Sequence, residues 1–214
     1  MYLCPSTMCL DFKNLEQSVK ELDDAGTDIF HNDVMDGNFV PNITLGLNDI
    51  KTIRNATNKP IDAHLMITKP DNKVDWFIDL GVDIIYIHPE ALGDTEKTLK
   101  HIRERNCKSG LAINPETSIE SVEHLFDLCD YVMVMSVHPG FAGQKFIEEV
   151  MDKIIKLGEL KNKYGFKLMM DGACSPEKIK ECSKLGVEGF VLGTSALFNK
   201  NDTYKNIMNN LRKL

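Results

Sequence analysis

The chain has 214 residues, 43% hydrophobic and 27% charged, with 14 Gly and 8 Pro spread along it, a composition that fits a soluble globular protein large enough for one sizeable core. A formal net charge of −7 argues against nucleic acid as the main partner, because phosphate backbones are gripped by clustered Lys and Arg; a small anion held by backbone N–H groups at helix N-termini is still allowed. Met1-Tyr2-Leu3-Cys4-Pro5 has no basic start followed by an apolar run, and no window reaches membrane-spanning length, so a cytoplasmic protein with no membrane partner is expected.

Short apolar, β-branched runs alternate with longer stretches of helical period, the pattern of repeated βα units on a parallel sheet. In chain order, the first four predicted strand–helix pairs are Tyr2–Met8 with Leu15–Ala25, Asp28–Met35 with Leu47–Ala56, Ile61–Ile67 with Lys73–Leu80, and Asp83–His88 with Thr95–Glu104. The second four are Lys108–Asn114 with Ile119–Leu128, Tyr131–Val137 with Ile147–Tyr164, Phe166–Asp171 with Pro176–Leu185, and Gly189–Gly193 with Asp202–Leu211. Ser118 ahead of Glu120 and Ser121, and Ser175 before Pro176, are helix-start signals.

A weak repeat marks three helix-to-strand returns: Gly26-Thr27-Asp28, Gly81-Val82-Asp83 and Gly186-Val187-Glu188. Each Gly is expected to take the left-handed conformation that ends a helix. Eight units without a composition break favour a closed (β/α)8 barrel over a doubly wound sheet. Six cysteines at irregular intervals, with no C-x-x-C pair, are expected to be reduced and mostly buried thiols.

In such barrels the chemistry sits at the C-terminal ends of the strands. The second strand ends His31-Asn32-Asp33-Val34-Met35-Asp36-Gly37, the third carries Asp62-Ala63-His64-Leu65-Met66, and the seventh ends Met169-Met170-Asp171-Gly172. A period of two points His31 and Asp33 inward together, so His31, Asp33, His64 and Asp171 can converge in the barrel mouth. Two imidazoles and two carboxylates suffice for a divalent cation such as Zn, Mn, Fe or Co. A single inward His is more often a hydrogen-bonded core residue and a strand-end Asp is often a cap, but four unpaired polar groups in one interior would be costly to desolvate.

Three glycine-bearing turns follow the last three strands: Pro139-Gly140-Phe141-Ala142-Gly143, Asp171-Gly172-Ala173 and Gly193-Thr194-Ser195. Any one of them could be only a tight turn. Together they occupy the loops where barrels of this kind bind phosphate through backbone N–H groups.

The blocks Pro5-Ser6, His31-x-Asp33-Val34-Met35-Asp36-Gly37-x-Phe39-Val40-Pro41-Asn42, His64-Leu65-Met66, Met135-Ser136-Val137-x-Pro139-Gly140-Phe141-x-Gly143-Gln144-x-Phe146 and Asp171-Gly172 resemble the signatures of the ribulose-phosphate 3-epimerases, in order and over nearly the whole chain. The resemblance implies one (β/α)8 barrel of the ribulose-phosphate-binding type over residues 1–214, acting on a phosphorylated ketose with one divalent metal ion, as a homo-oligomer. It also implies that His31, Asp33, His64 and Asp171 bind the metal and that Asp33 and Asp171 are the acid/base pair. Ser6 and His64 would contact substrate, Met35, Met66 and Met135 would line the pocket, and Gly140, Phe141, Ala142, Gly143, Gly172, Ala173, Gly193, Thr194 and Ser195 would hold the phosphate.

Pentose-phosphate members usually read P-S-I-L-x-x-D, D-G-G and G-S-A-I-F. This chain instead has Pro5-Ser6-Thr7-Met8-Cys9-Leu10-Asp11, Asp171-Gly172-Ala173-Cys174 and Gly193-Thr194-Ser195-Ala196-Leu197-Phe198. With His88-Pro89-Glu90, Pro115-Glu116-Thr117 and Phe141-Ala142-Gly143-Gln144, these resemble the allulose-6-phosphate 3-epimerase branch. The expected reaction therefore leans to allulose 6-phosphate and fructose 6-phosphate, with ribulose 5-phosphate and xylulose 5-phosphate as the alternative. Asn32, where the family usually has an aliphatic residue, is expected to face the helices.

Inverting C3 beside a ketone needs one group to remove a proton and another to return one to the opposite face. General acid/base catalysis contributes about 3–5 kcal/mol of the roughly 8–23 kcal/mol by which enzymes lower barriers, so a cation on the oxygens of the developing enediolate and a fixed phosphate are needed too. A decarboxylase on a similar barrel would be expected to place Lys where Asp62-Ala63-His64 has His, and a non-catalytic sugar-phosphate binder would have little use for two acids beside metal ligands.

Overall fold

Val, Ile, Leu, Met and aromatic residues make up the apolar runs, which suits them to a sheet buried on both faces. The computed structural model describes residues 1–214. Its strands are β1 (Tyr2–Pro5), β2 (Asp33–Met35), β3 (Asp62–Met66), β4 (Ile84–Ile87), β5 (Lys108–Ile113), β6 (Tyr131–Met135), β7 (Lys167–Asp171) and β8 (Gly189–Leu192). The helices are α1 (Leu15–Asp24), α2 (Leu47–Ala56), α3 (Val74–Ile78), α4 (Thr95–Glu104), α5 (Ile119–Val122), α6 (Val150–Tyr164), α7 (Pro176–Lys184) and α8 (Tyr204–Leu211).

Neighbouring strands are parallel, in the order β1-β8-β7-β6-β5-β4-β3-β2. The two ends of that order meet. His31 N–H donates to the Pro5 carbonyl at 3.0 Å, Thr7 N–H donates to the His31 carbonyl at 2.8 Å, and Ser6 and His31 form a parallel bridge. The sheet is thus the closed (β/α)8 barrel that the alternating pattern predicts. Its main core lies between strands and helices, with Phe30, Ile50, Leu99, Ile154 and Phe190 fully buried. A smaller core, including Tyr86, Met133 and Met169, fills the barrel interior. All six cysteines are free thiols, and only Cys9 is not fully buried. No helix is long and apolar enough to cross a membrane.

Several expected elements are trimmed, for identifiable reasons. The run from Asp28 to Met35 is regular strand only from Asp33, because side chains replace the ladder bond at Asn32. Asn32 N–H donates to the Asp62 carboxylate at 3.2 Å, while the Asn32 amide donates to the Asp62 carbonyl at 2.6 Å. The Thr7 hydroxyl in turn donates to the Asn32 amide oxygen at 2.7 Å. Asn32 therefore lies buried in the seam joining the first three strands, with its polar atoms paired. Thr7–Cys9 turns into a short 3-10 helix, and Glu123–Leu128 continues α5 in the same form. The helix expected from Ile147 begins at Val150, since Ile147 N–H is tied back to the Ser136 carbonyl at 2.9 Å.

The glycine repeat behaves as expected: Gly26, Gly81 and Gly186 have φ of +95°, +82° and +100°. The acids that follow have a structural task at the N-terminal end of the barrel. Asp28 accepts Leu3 N–H at 2.8 Å, Asp83 accepts Ile61 N–H at 2.9 Å, and Glu188 accepts Leu168 N–H at 3.4 Å. Arg212, Arg54 and Lys161 neutralise the three acids.

Candidate active site

At the opposite end, strand register assembles the polar cluster. Asp33 of β2 and His64 of β3 are lateral partners, and Asp171 ends β7 beside Met135 of β6. His31 Nε2 lies 3.1 Å and His64 Nδ1 3.2 Å from Asp33 Oδ1. Asp171 Oδ2 lies 3.9 Å from His31 Nε2 and 3.6 Å from His64 Nδ1. One ligand atom from each of these four residues falls within 4.8 Å of every other. The convergence expected from the sequence is what the strands produce.

Whether these groups suit a cation can be judged from their hydrogens. His31 Nδ1 faces the Asp62 carboxylate at 2.9 Å, and a carboxylate only accepts, so neutral His31 carries its proton on Nδ1 and leaves Nε2 bare. Bare imidazole nitrogens beside carboxylate oxygens repel one another unless a cation lies between them. Two nitrogens and two oxygens fit Zn, Mn, Fe or Co, and Asp62–His31 has the carboxylate–histidine form that orients metal-binding imidazoles.

Without a metal, protons answer the same demand. Burial alone would lower the His31 pKa, but the Asp62 and Asp33 carboxylates outweigh it and hold His31 well above its ordinary value. Burial pushes Asp33 up, but the charge of His31 and hydrogen bonds from both imidazoles dominate and hold it well below the usual range. Asp171, raised first by burial and then by the Asp33 charge, lies at about 6. The Ser6 hydroxyl donates to Asp33 Oδ2 at 2.6 Å, so each Asp33 oxygen has its own partner.

Above the cluster opens a recess of about 560 Å³. Its floor includes Ser6, Asp33, Met35, Met66, Met135 and Asp171, and its wall includes Gly140, Phe141, Ala142, Gly143, Gly172, Ala173, Gly193, Thr194 and Ser195. His31 and His64 lie fully buried beneath it. No Lys or Arg lines the recess, and His138 is the only imidazole in its lining, so an anion there relies mainly on N–H groups and hydroxyls. The turn after β7 holds successive left-handed residues, Gly172 at φ +109° and Ala173 at φ +46°, the second an uncommon conformation for a residue with a side chain.

Sequence reasoning did not assign a site role to Asp62, His88, Glu90, Met8 or Cys9. Met8 and Cys9 line the recess from the 3-10 turn after β1. Asp62 was readable in principle, since it stands two residues before His64 and shares its inward face. His88 Nε2 lies 2.8 Å from His64 Nε2, a contact set by packing between β3 and β4.

Eight parallel βα units, with a His/Asp set able to hold a metal ion and glycine turns at the strands' C-terminal ends, have the architecture of a barrel enzyme. Residues 2–198 match the ribulose-phosphate 3 epimerase family, and the chain belongs to that family of isomerases. It is 38% identical to a ribulose-phosphate 3-epimerase of Bacillus subtilis, over 96% of this chain and 95% of the relative. It is 40% identical to one of Synechocystis, over 92% of this chain and 87% of the relative. Phosphoribosyl anthranilate isomerase from Thermus thermophilus shares the fold at a TM-score of 0.71 and 10% identity, covering 100% of this chain and 99% of that one. These relatives do not support the lean toward the allulose branch; their names agree with the pentulose alternative.

Proposed function

We propose that the chain interconverts D-ribulose 5-phosphate and D-xylulose 5-phosphate by proton exchange at C3. The observation that carries this is Asp33 and Asp171 lining one recess beside His31 and His64, in a chain about 38–40% identical to enzymes so named.

In this reading His31, Asp33, His64 and Asp171 hold a divalent cation. When bound, it supplies positive charge to the oxygens that become electron-rich as the C3 proton leaves. One of Asp33 and Asp171 takes that proton, and the other returns one to the opposite face. Ser6 fixes the Asp33 carboxylate by its hydrogen bond to Oδ2. Met35, Met66 and Met135 wall the reacting carbons with apolar surface, and the three glycine-bearing turns hold the phosphate through backbone N–H groups.

A second reading, D-allulose 6-phosphate to D-fructose 6-phosphate, is favoured by Met8-Cys9, Pro115-Glu116-Thr117, Phe141-Ala142-Gly143-Gln144 and Ala173-Cys174. Comparing kcat/KM on the two ketose phosphates decides between them. A larger value on ribulose 5-phosphate is expected, and a larger value on the hexulose reverses the assignment. Exhaustive chelation should abolish turnover, with recovery on adding Zn, Mn, Fe or Co; full activity in verified metal-free protein refutes the cation's role.

A further inference from the structure

Behind His64 runs a chain of hydrogen bonds that the proposed reaction does not use directly. His64 Nε2 lies 2.8 Å from His88 Nε2, and His88 Nδ1 lies 3.2 Å from Glu90 Oε2. Both imidazoles are fully buried, so bulk water does not compete for their nitrogens. The other Glu90 oxygen, Oε1, accepts Asn114 N–H at 3.1 Å and the Thr117 hydroxyl.

The direction of every hydrogen bond follows from Glu90. A carboxylate cannot donate, so the His88 proton must sit on Nδ1 and His88 Nε2 must accept. His64 Nε2 is then the donor, and in neutral His64 Nδ1 is left with a bare lone pair. That is the nitrogen 3.2 Å from Asp33 and 3.6 Å from Asp171. Asp62 sets His31 at one remove, and Glu90 reaches His64 at two.

We propose that Glu90, acting through His88, is a positioning residue that fixes the His64 tautomer so that Nδ1 is presented, unprotonated, to a divalent cation. This rests on the metal-site reading above.

Glu90→Gln reverses the relay. Its amide oxygen is held in the Oε1 position, because both Asn114 N–H and the Thr117 hydroxyl need an acceptor there. The NH2 group is then directed at His88 Nδ1. His88 must carry its proton on Nε2 and donate to His64 Nε2, which moves the His64 proton onto Nδ1, where the cation would bind. Loss of an outer partner of a metal-binding imidazole typically weakens metal affinity by about 10–100-fold. His88→Leu cuts the relay, because an apolar side chain neither donates nor accepts.

The test combines zinc affinity, measured by competition with a chelator, and imidazole 15N spectra of metal-free protein at mildly alkaline pH. Expected are His88 protonated on Nδ1 and bare on Nε2 in the parent, both positions reversed in Glu90→Gln, and zinc binding about 10–100-fold weaker. In a His88→Leu background, Glu90→Gln should change zinc affinity less than about twofold, since the messenger between the two sites is gone. Unchanged zinc affinity and tautomers in Glu90→Gln overturn the inference, as does an undiminished effect of Glu90→Gln in the His88→Leu background. If Glu90→Gln does not fold, the parent spectrum decides: His88 protonated on Nε2 overturns the proposal. A parent that binds no zinc sinks the metal reading itself, whereas a zinc-binding parent and an equally zinc-binding Glu90→Gln sink this inference alone.

Discussion

Asp62→Ala tests the cluster from outside the proposed ligand set. The Asp62 carboxylate accepts from His31 Nδ1 at 2.9 Å and from Asn32 N–H at 3.2 Å, with no solvent access. Removing it strands two buried donors at about 1–3 kcal/mol each, or roughly 2–6 kcal/mol together, against a total stability of about 5–15 kcal/mol for a typical protein. His31 is also freed to rotate or change tautomer, which should weaken zinc binding about 10–100-fold, equivalent to about 1.4–2.7 kcal/mol. Chemical denaturation with and without zinc separates the two effects. The metal-free variant should lose stability, and the increment that a fixed zinc concentration adds should shrink by the affinity loss. Asp62→Asn keeps an acceptor oxygen for both donors and should fall between the variant and the parent. A folded Asp62→Ala protein whose zinc increment equals the parent's would refute the idea that Asp62 orients His31.

Asp33→Asn and Asp171→Asn should each abolish detectable epimerisation in a folded barrel, since the acid/base step alone is worth about 10²–10⁴-fold; C3 proton exchange in D2O is the assay, and near-normal exchange in either removes the two-carboxylate mechanism. Gly172→Ala would place a methyl 2.6 Å from Val137 Cγ2 and 2.9 Å from Val137 N at φ +109°, costing about 2–6 kcal/mol from strain and overpacking combined; a lowered Tm with a raised KM is expected, and an unchanged Tm contradicts the geometry. Asp36 accepts N–H groups of Asn38, Phe39 and Thr68. Although burial opposes it, these bonds hold its pKa below the ordinary value. Its stabilisation is therefore complete above the unfolded carboxylate pKa of about 3.9 and fades as pH falls below that. Asp36→Ala should cost about 1–3 kcal/mol at pH 7 and progressively less in acid; a pH-independent difference argues against the charged cap.

His31, Asp33, His64 and Asp171 were legible before any coordinates because strand alternation and the C-terminal rule for barrels are local and general. Asn32 was not, because its contacts depend on how strands slide past one another. The side-chain exchange with Asp62 and the bond from Thr7 exist only once β1, β2 and β3 are in register. The His88 and Glu90 relay was hidden for a related reason. Glu90 is two residues from His88, but its other partners, Asn114 and Thr117, lie beyond β5. The late start of α6 likewise follows from a tertiary bond between Ile147 and Ser136 that no helical period announces.

The recess has no lysine or arginine in its lining, and this shapes traffic through it. A phosphate seated among N–H groups leaves without dissociating a lysine or arginine clamp, and its departure strands no mobile cation in an apolar wall. In a molecule of net charge −7, an approaching dianion meets long-range repulsion that dissolved salt relieves. Capture should therefore quicken as ionic strength rises from very low values, the reverse of the behaviour of enzymes that draw anions in with a basic funnel.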